Sequence, residues 1–220
     1  MLRKIFLFCG ILSSLLYIVM NIFVPMSFPG YESASQTVSE LSAIGSPTRT
    51  LWVSLGTAYT LLIMVFGLGV RQSAKQNKKL KIAGGLIFVY GIVSLVWPFA
   101  PMHQREILAR DGESLTDKIH LVLAMVTVLL MMASMAFAAA AFEKKFLLYS
   151  IATIIILLVF GALTGWDAGR VKSNLPTPWV GIWERINIGI FLLWIIVLSI
   201  TVLRQQKGSR QNKVKEILAN

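Results

Sequence analysis

Six long apolar stretches separated by polar connections run along the chain, approximately Ile5–Pro25, Leu51–Val70, Ile82–Pro98, Lys118–Phe142, Phe146–Gly165 and Pro178–Leu203. About 30 Å of hydrocarbon at 1.5 Å of rise per residue asks for roughly 20 apolar residues. Each stretch supplies them, the third only if Phe99 and Ala100 stay at membrane depth. No Asp, Glu, Lys, Arg or His stands near the middle of any stretch. Backbone groups in lipid must be satisfied within the segment, so all six are predicted to be helices. The pattern therefore implies an all-α integral membrane bundle of six transmembrane helices over residues 1–204, followed by a short basic tail over 205–220. The first stretch follows Arg3 and Lys4 as a signal peptide would, but no small-x-small cleavage site follows Met20–Phe28. Its length also exceeds an ordinary signal core, so it reads as a retained helix.

Composition agrees with the pattern. The 220 residues are 56% hydrophobic and 14% charged, against about 25% charged in a soluble domain, which excludes disorder and an ordinary water-soluble enzyme. Cys9 is alone, so the chain has no intrachain disulfide and no zinc-finger spacing. The net charge of +11 raises the question of nucleic acid, and the placement of the charges answers it. Fourteen basic residues fall on one side of the spans: Arg3, Lys4, Arg71, Lys75, Lys78, Lys79, Lys81, Lys144, Lys145, Arg204, Lys207, Arg210, Lys213 and Lys215. Seven fall on the other, Arg49, Arg105, Arg110, Lys118, Arg170, Lys172 and Arg185, beside eight of the ten acids. The positive-inside rule then predicts a multi-pass protein of the cell membrane with both termini cytoplasmic and three longer loops outside. The same basic residues can attract anionic lipid headgroups; nucleic acid is not an expected partner. Trp52, Trp97, Trp166, Trp179 and Trp183 independently mark the outer span ends, where amphipathic rings prefer the headgroup layer.

The candidate chemistry sits in the outer loops. In the first, Val38, Leu41 and Ile44 recur at helical spacing and predict a short amphipathic helix on the membrane, ended by Gly45-Ser46-Pro47. The second ends the third span at Pro98 and Pro101 and carries His103 and Arg105; Ser114-Leu115-Thr116-Asp117 then resembles a capping box that opens the fourth span. Asp117 and His120, three residues apart, share a helix face. The third loop is expected to run from Trp166 to Thr177, with Thr177 capping a last helix that starts at Pro178 and carries Glu184 and Arg185.

Ser39-Glu40-Leu41-x-Ala43-x-Gly45-x-Pro47, Met102-His103-x-Arg105, Leu115-Thr116-Asp117-x-x-His120 and Gly181-x-Trp183-Glu184-Arg185 resemble a bacterial and archaeal membrane protein family, the domain of unknown function 998. The resemblance extends over nearly the whole chain in span number and spacing. It implies the architecture and a set of positions, and no reaction.

Two function classes follow from the outer residues. In one, a polar pocket binds a lipid headgroup, a small ligand or a partner protein, with Ser39, Arg105, Glu184 and Arg185 as ligand-binding groups; guanidinium forks suit anions. In the other, Glu40, Asp117 and His120 are catalytic in a hydrolase or transferase acting on a lipid at the outer leaflet. There His103, Asp117, His120 and Glu184 are the ligand types of zinc or a similar divalent ion, and Ser39 is an alternative nucleophile. A proton-coupled transporter is disfavoured, because the span centres offer only Ser, Thr, Tyr and Asn, which serve helix–helix hydrogen bonding. No phosphate-binding glycine loop, Gly-x-Ser-x-Gly elbow or His-Glu-x-x-His motif occurs.

Overall fold

A computed structural model describes residues 2–173 and 175–219, with the side chains of 207–219 set aside. Among the described residues all regular structure is helical: α1 (Leu2–Phe23), α2 (Arg49–Ser73), α3 (Lys78–Ser94), α4 (Arg105–Asp111), α5 (Leu115–Ala139), α6 (Lys144–Lys172) and α7 (Val180–Ala219), with 3-10 turns at Pro25–Ser27, Val38–Ser42 and Trp97–Phe99. Six segments are long and apolar enough to cross a membrane, Leu2–Ser27, Arg49–Ser73, Lys78–Phe99, Leu115–Ala139, Lys144–Lys172 and Val180–Gln206. Each overlaps one expected stretch. The third reaches Phe99 by adding its 3-10 turn to α3. Of the expected basic tail, the side chains after Gln206 lie outside the described residues.

The spans pack in chain order as a closed ring: α1 on α2, α2 on α3, α3 on α5, α5 on α6, α6 on α7, and α7 back on α1. Short connections force neighbours in sequence to be antiparallel neighbours in space. Small residues set the tightest crossing. A Cβ on Gly67 would stand 2.6 Å from the Phe88 backbone nitrogen, and one on Gly84 would stand 2.9 Å from the Arg71 Cα. Glycine there lets the α2 and α3 backbones touch, which is how helices associate in lipid without a hydrophobic drive between them. Gly84→Leu is expected to pry the pair apart and cost about 1–3 kcal/mol, read as a lower thermal unfolding midpoint in detergent.

Polar side chains inside the spans bond between helices. Ser14 donates to the Leu192 carbonyl (3.1 Å) and Trp194 Nε1 to Ser150 Oγ (3.0 Å), while the Tyr59 and Tyr90 hydroxyls meet at 3.1 Å. Leu7, Phe66, Ile87, Met135, Trp194 and Leu198 form the fully buried centre. Outward-facing apolar side chains such as Phe8, Leu12, Met125, Leu129 and Leu158 stay exposed, as lipid contact requires.

Three local expectations are corrected, and all three corrections shape the same end of the bundle. The helix expected to lie on the membrane is a 3-10 turn tucked into the protein, with Val38 and Leu41 packed on Met20, Val24 and Trp52. Only Ile44 of that stripe faces outward. The third loop is shorter than expected because α6 continues to Lys172, where Arg170 and Lys172 suit the negative end of the helix dipole and Lys172 pairs with Glu113. Finally, α7 begins at Val180 rather than Pro178. Its first free N–H groups, from Gly181 (2.9 Å) and Ile182 (3.3 Å), donate to the Ala34 carbonyl of the first loop, and Thr177 is no cap.

Candidate functional site

Residues 24–48, 95–114 and 175–179 all lie at one end of the bundle, and the site is built where they meet the mouths of α5 and α7. The 3-10 turn Val38–Ser42 carries it. Glu40 folds back on the turn that bears it, its Oε1 accepting from the Thr37 N–H at 2.9 Å, a reciprocal local cap. The same carboxylate is only 3% exposed and takes a fork from Arg105, Nε to Oε2 at 3.0 Å and Nη2 to Oε1 at 2.8 Å. Arg105 opens the short helix α4, which the sequence pattern does not mark because seven residues span less than two turns of periodicity. Its guanidinium also donates to the Ser35 carbonyl (2.8 Å) and to Thr177 Oγ1 (3.3 Å), joining all three loops. The hydrogen bonds Arg105 donates to Glu40 hold its guanidinium above its ordinary pKa, so Arg105 stays charged.

Ser39, one residue earlier, points the other way. Its Oγ lies 3.1 Å from His120 Nε2 and 3.3 Å from Glu184 Oε1. His120 is 7% exposed, and its Nδ1 lies 2.8 Å from the Ala100 carbonyl oxygen. A carbonyl only accepts, so Nδ1 carries a proton, which leaves Nε2 of the neutral ring facing the Ser39 hydroxyl as acceptor. Trp97 packs its ring edge-on against the imidazole, centroids 4.6 Å apart. Glu184 reaches Ser39 from α7, and its other oxygen accepts the Val38 N–H. A serine hydroxyl has one proton and here faces two acceptors. Either Glu184 is protonated and donates to Ser39, which donates to His120, or the imidazole holds that proton and Ser39 donates to Glu184. Glu184→Gln, which mimics the protonated acid, is therefore expected to keep the network. Glu184→Ala leaves the Val38 N–H unpaired and costs about 1–3 kcal/mol, a difference that thermal unfolding of the two variants resolves.

His103 and Asp117 make a separate pair. Asp117, 3% exposed, accepts from the His103 N–H (2.7 Å), the Ser114 N–H (2.9 Å) and the Ser114 hydroxyl (2.6 Å), and its Oδ2 lies 2.9 Å from His103 Nδ1. The expected capping box is present. Asp117 does not hydrogen-bond His120: its oxygens are spent on the helix start and on His103. Arg185 faces away from Ser39. It donates to the Ser33 (2.8 Å), Gln36 (3.2 Å) and Gly181 (3.1 Å) carbonyls and to the Tyr31 hydroxyl (2.7 Å), bracing the back of the first loop. Burial pushes the Tyr31 phenol up to about 12 despite the neighbouring Arg185, so it stays a donor, to the Thr37 carbonyl at 2.8 Å. Gly181 is required at that junction, because a Cβ would collide with the Gln36 and Ser33 carbonyl oxygens.

Of the sequence candidates, Ser39, His120 and Glu184 form one hydrogen-bonded chain, with Glu40 beside it on the same turn and Arg105 gripping Glu40 from α4. His103 and Asp117 form a second pair, and Arg185 a brace. The structure divides the zinc ligands expected from the sequence, His103, Asp117, His120 and Glu184, between these two groups. Among the described residues no three His, Cys, Asp or Glu side chains are grouped to hold a metal ion. The ligand atoms that geometry would need are occupied by Ser114, Ala100, Ser39 and Val38. Sequence reasoning missed the Ala100 carbonyl, Trp97 and Thr177. The run Trp97-Pro98-Phe99-Ala100-Pro101 was legible as a helix stop, but which carbonyl its turn would present was not.

A cavity of about 60 Å³ adjoins these groups, lined by Thr37, Glu40, Met102, Leu108, Glu113, Asp117, His120, Leu121, Ala168, Val171 and Lys172. Fold and site together define a six-span helical membrane protein with a polar, hydrogen-bonded centre at one end of the bundle. The chain belongs to the family described as Protein of unknown function (DUF998), whose family model matches residues 11–201. No curated protein and no solved structure matches it significantly.

Proposed function

We propose that this end of the bundle faces the outside of the cell and that it binds and acts on an acyl ester at headgroup depth, with Ser39 as nucleophile and His120 as general base. The single observation that carries the reading is the 3.1 Å contact from Ser39 Oγ to His120 Nε2, with Nδ1 tied to the Ala100 carbonyl. Nucleophile, base and a third group that orients the base is the arrangement nucleophilic catalysis needs. Ser39 Oγ attacks the acyl carbonyl carbon while Nε2 takes the hydroxyl proton. The C–O bond to the leaving alcohol breaks, and the imidazolium returns the proton to that oxygen. Water, deprotonated by the same Nε2, then attacks the acyl-serine; the carboxylic acid departs and Ser39 regains its hydrogen. Glu184 positions the turn through the Val38 N–H and touches no reacting atom except Ser39 Oγ.

The test is a small fluorophosphonate applied to protein in nanodiscs. Mass spectrometry is expected to find the phosphonyl group on Ser39 and none in Ser39→Ala. An unmodified Ser39 overturns the nucleophile. A second reading, binding without chemistry, is favoured by the complete hydrogen bonding of Glu40 and Asp117 within the protein, which leaves neither carboxylate free to act on a substrate; it takes over in that case.

Orientation rests on the charge asymmetry, since Arg71, Lys75, Lys78, Lys79 and Lys81 sit at the opposite end from the site. In a Cys9→Ser background, a membrane-impermeant maleimide added to intact cells is expected to label Arg110→Cys and spare Lys78→Cys. Both positions are exposed. The reverse pattern would place the site in the cytoplasm.

A further inference from the structure

We propose that substrate reaches the site sideways from the bilayer, through the seam between α5 and α6, and that it is a lipid whose acyl chain lies in that seam. For the placement of its ester at Ser39 this rests on the reading above; the route itself rests on the cavity.

The cavity has two unlike ends. Its polar end is Thr37, Glu40 and His120, of which Glu40 adjoins Ser39 in the chain and His120 contacts its hydroxyl. Its apolar end is Leu121 of α5 with Ala168 and Val171 of α6. These two helices touch along less of their length than any other neighbours in the ring, and α5 packs mainly on α3, on its other side. The medium at the mouth is set by the surrounding side chains. Val122 and Met125 on α5 are 51% and 60% exposed, and at their depth a spanning helix exposes such side chains to lipid, while the exposed Lys118 one turn earlier marks the headgroup side. A water-soluble substrate would have to cross that apolar rim, whereas an acyl chain continues it.

Charge at the mouth argues for the same occupant. Glu113, which precedes α5, and Lys172, which ends α6, pair at 2.6 Å across the gap. Glu40 is neutralised by Arg105 in the same way. Glu40, Glu113 and Lys172 of the lining are thus paired within the protein, and the Asp117 carboxylate is held by Ser114 and His103. At about 60 Å³ the cavity is far smaller than a lipid molecule. A linkage fits there while the chain remains in the seam, and a whole lipid does not.

The experiment compares two probes on protein in phosphatidylcholine nanodiscs: a short ethyl fluorophosphonate and one bearing a hexadecyl chain. Wild-type protein is expected to react with the long probe at least about tenfold faster, a preference equal to about 1.4 kcal/mol. Ala168→Trp, which fills the seam, is expected to bring the ratio to about one. Leu158→Trp, on an exposed stretch of α6 away from the cavity, is expected to keep the wild-type ratio and reports any general cost of a new tryptophan. A ratio near one in wild type, or an unchanged ratio in Ala168→Trp, overturns lateral entry while leaving the nucleophile intact. If neither probe labels Ser39, the nucleophile fails. The route is then decided by a phosphatidylcholine with a diazirine in its acyl chain: crosslinks at Leu121 or Val171 that Ala168→Trp abolishes sustain it, and their absence in wild type overturns it.

Discussion

Replacing His120 with alanine is expected to slow phosphonylation of Ser39 by about 10²- to 10⁴-fold, the range that positioned general bases supply. The reason is local. Ser39 Oγ has two acceptors, and only the imidazole can take its proton and later return it at the geometry of attack. Alanine removes that acceptor and also strands the Ala100 carbonyl, at a stability cost of about 1–3 kcal/mol, so lost labelling alone would be ambiguous. His120→Asn separates the two effects. Its side-chain amide can donate where Nδ1 did, towards the Ala100 carbonyl, but no basic nitrogen faces Ser39. The expected result is a near-native unfolding midpoint with labelling as slow as in the alanine variant. The wild-type rate should also rise with pH as the imidazole becomes neutral, because only the neutral ring accepts a proton, and both variants should lose that dependence. Labelling at the wild-type rate in His120→Asn would remove His120 from the mechanism and leave it a structural histidine.

Glu40→Ala is expected to lower stability by about 3–5 kcal/mol, the largest change foreseen for a single side chain outside the spans. It removes the carboxylate Arg105 grips, leaving the guanidinium only its contacts to the Ser35 carbonyl and Thr177, and leaves the Thr37 N–H without its cap. A buried ion pair is worth little against a well-packed apolar replacement, but losing one partner leaves the other charged and desolvated. The double variant Glu40→Ala/Arg105→Ala should therefore be less damaged than the two single losses added together. That shortfall, measured by thermal unfolding of the full cycle, is the coupling energy. Additive losses would mean that Arg105 finds water when Glu40 leaves, and that the fork does not hold the loops together. Because Ser39 is the adjacent residue, Glu40→Ala should also reduce labelling of Ser39, by moving the turn rather than by removing a reacting group.

How far the chain is legible without coordinates differs from element to element. The spans are legible because lipid imposes a length and a polarity that any six such stretches must meet, and each observed span overlaps its expected one. Ser114 and Asp117 are legible because a capping box is a contact within four residues. The third loop was misjudged because Trp166-Asp167-Ala168-Gly169 is polar and glycine-bearing, yet α6 runs through it to Lys172, whose partner Glu113 lies in another loop. The start of α7 was misplaced for a related reason: its cap is the Ala34 carbonyl, almost 150 positions away in the chain.

The candidate site divides along the same line. Residue type and depth are properties of the chain, and they singled out Ser39, Glu40, His103, Arg105, Asp117, His120, Glu184 and Arg185 as polar groups gathered at one membrane face. Pairing is not such a property. Asp117 stands one helical turn from His120, yet it bonds His103, because the backbone after Pro101 brings that residue's N–H and ring within reach of its carboxylate. Ser39 meets His120 only because three loops close over the ring of spans and the Ala100 carbonyl turns the imidazole towards it. The amino-acid order by itself settled the membrane spans and the end at which the polar groups collect, since hydrophobic length and local caps act over a few residues. Which carboxylate serves which cation, and which serine faces which histidine, was decided by tertiary structure, since hydrogen bonds form across distances that sequence spacing does not encode.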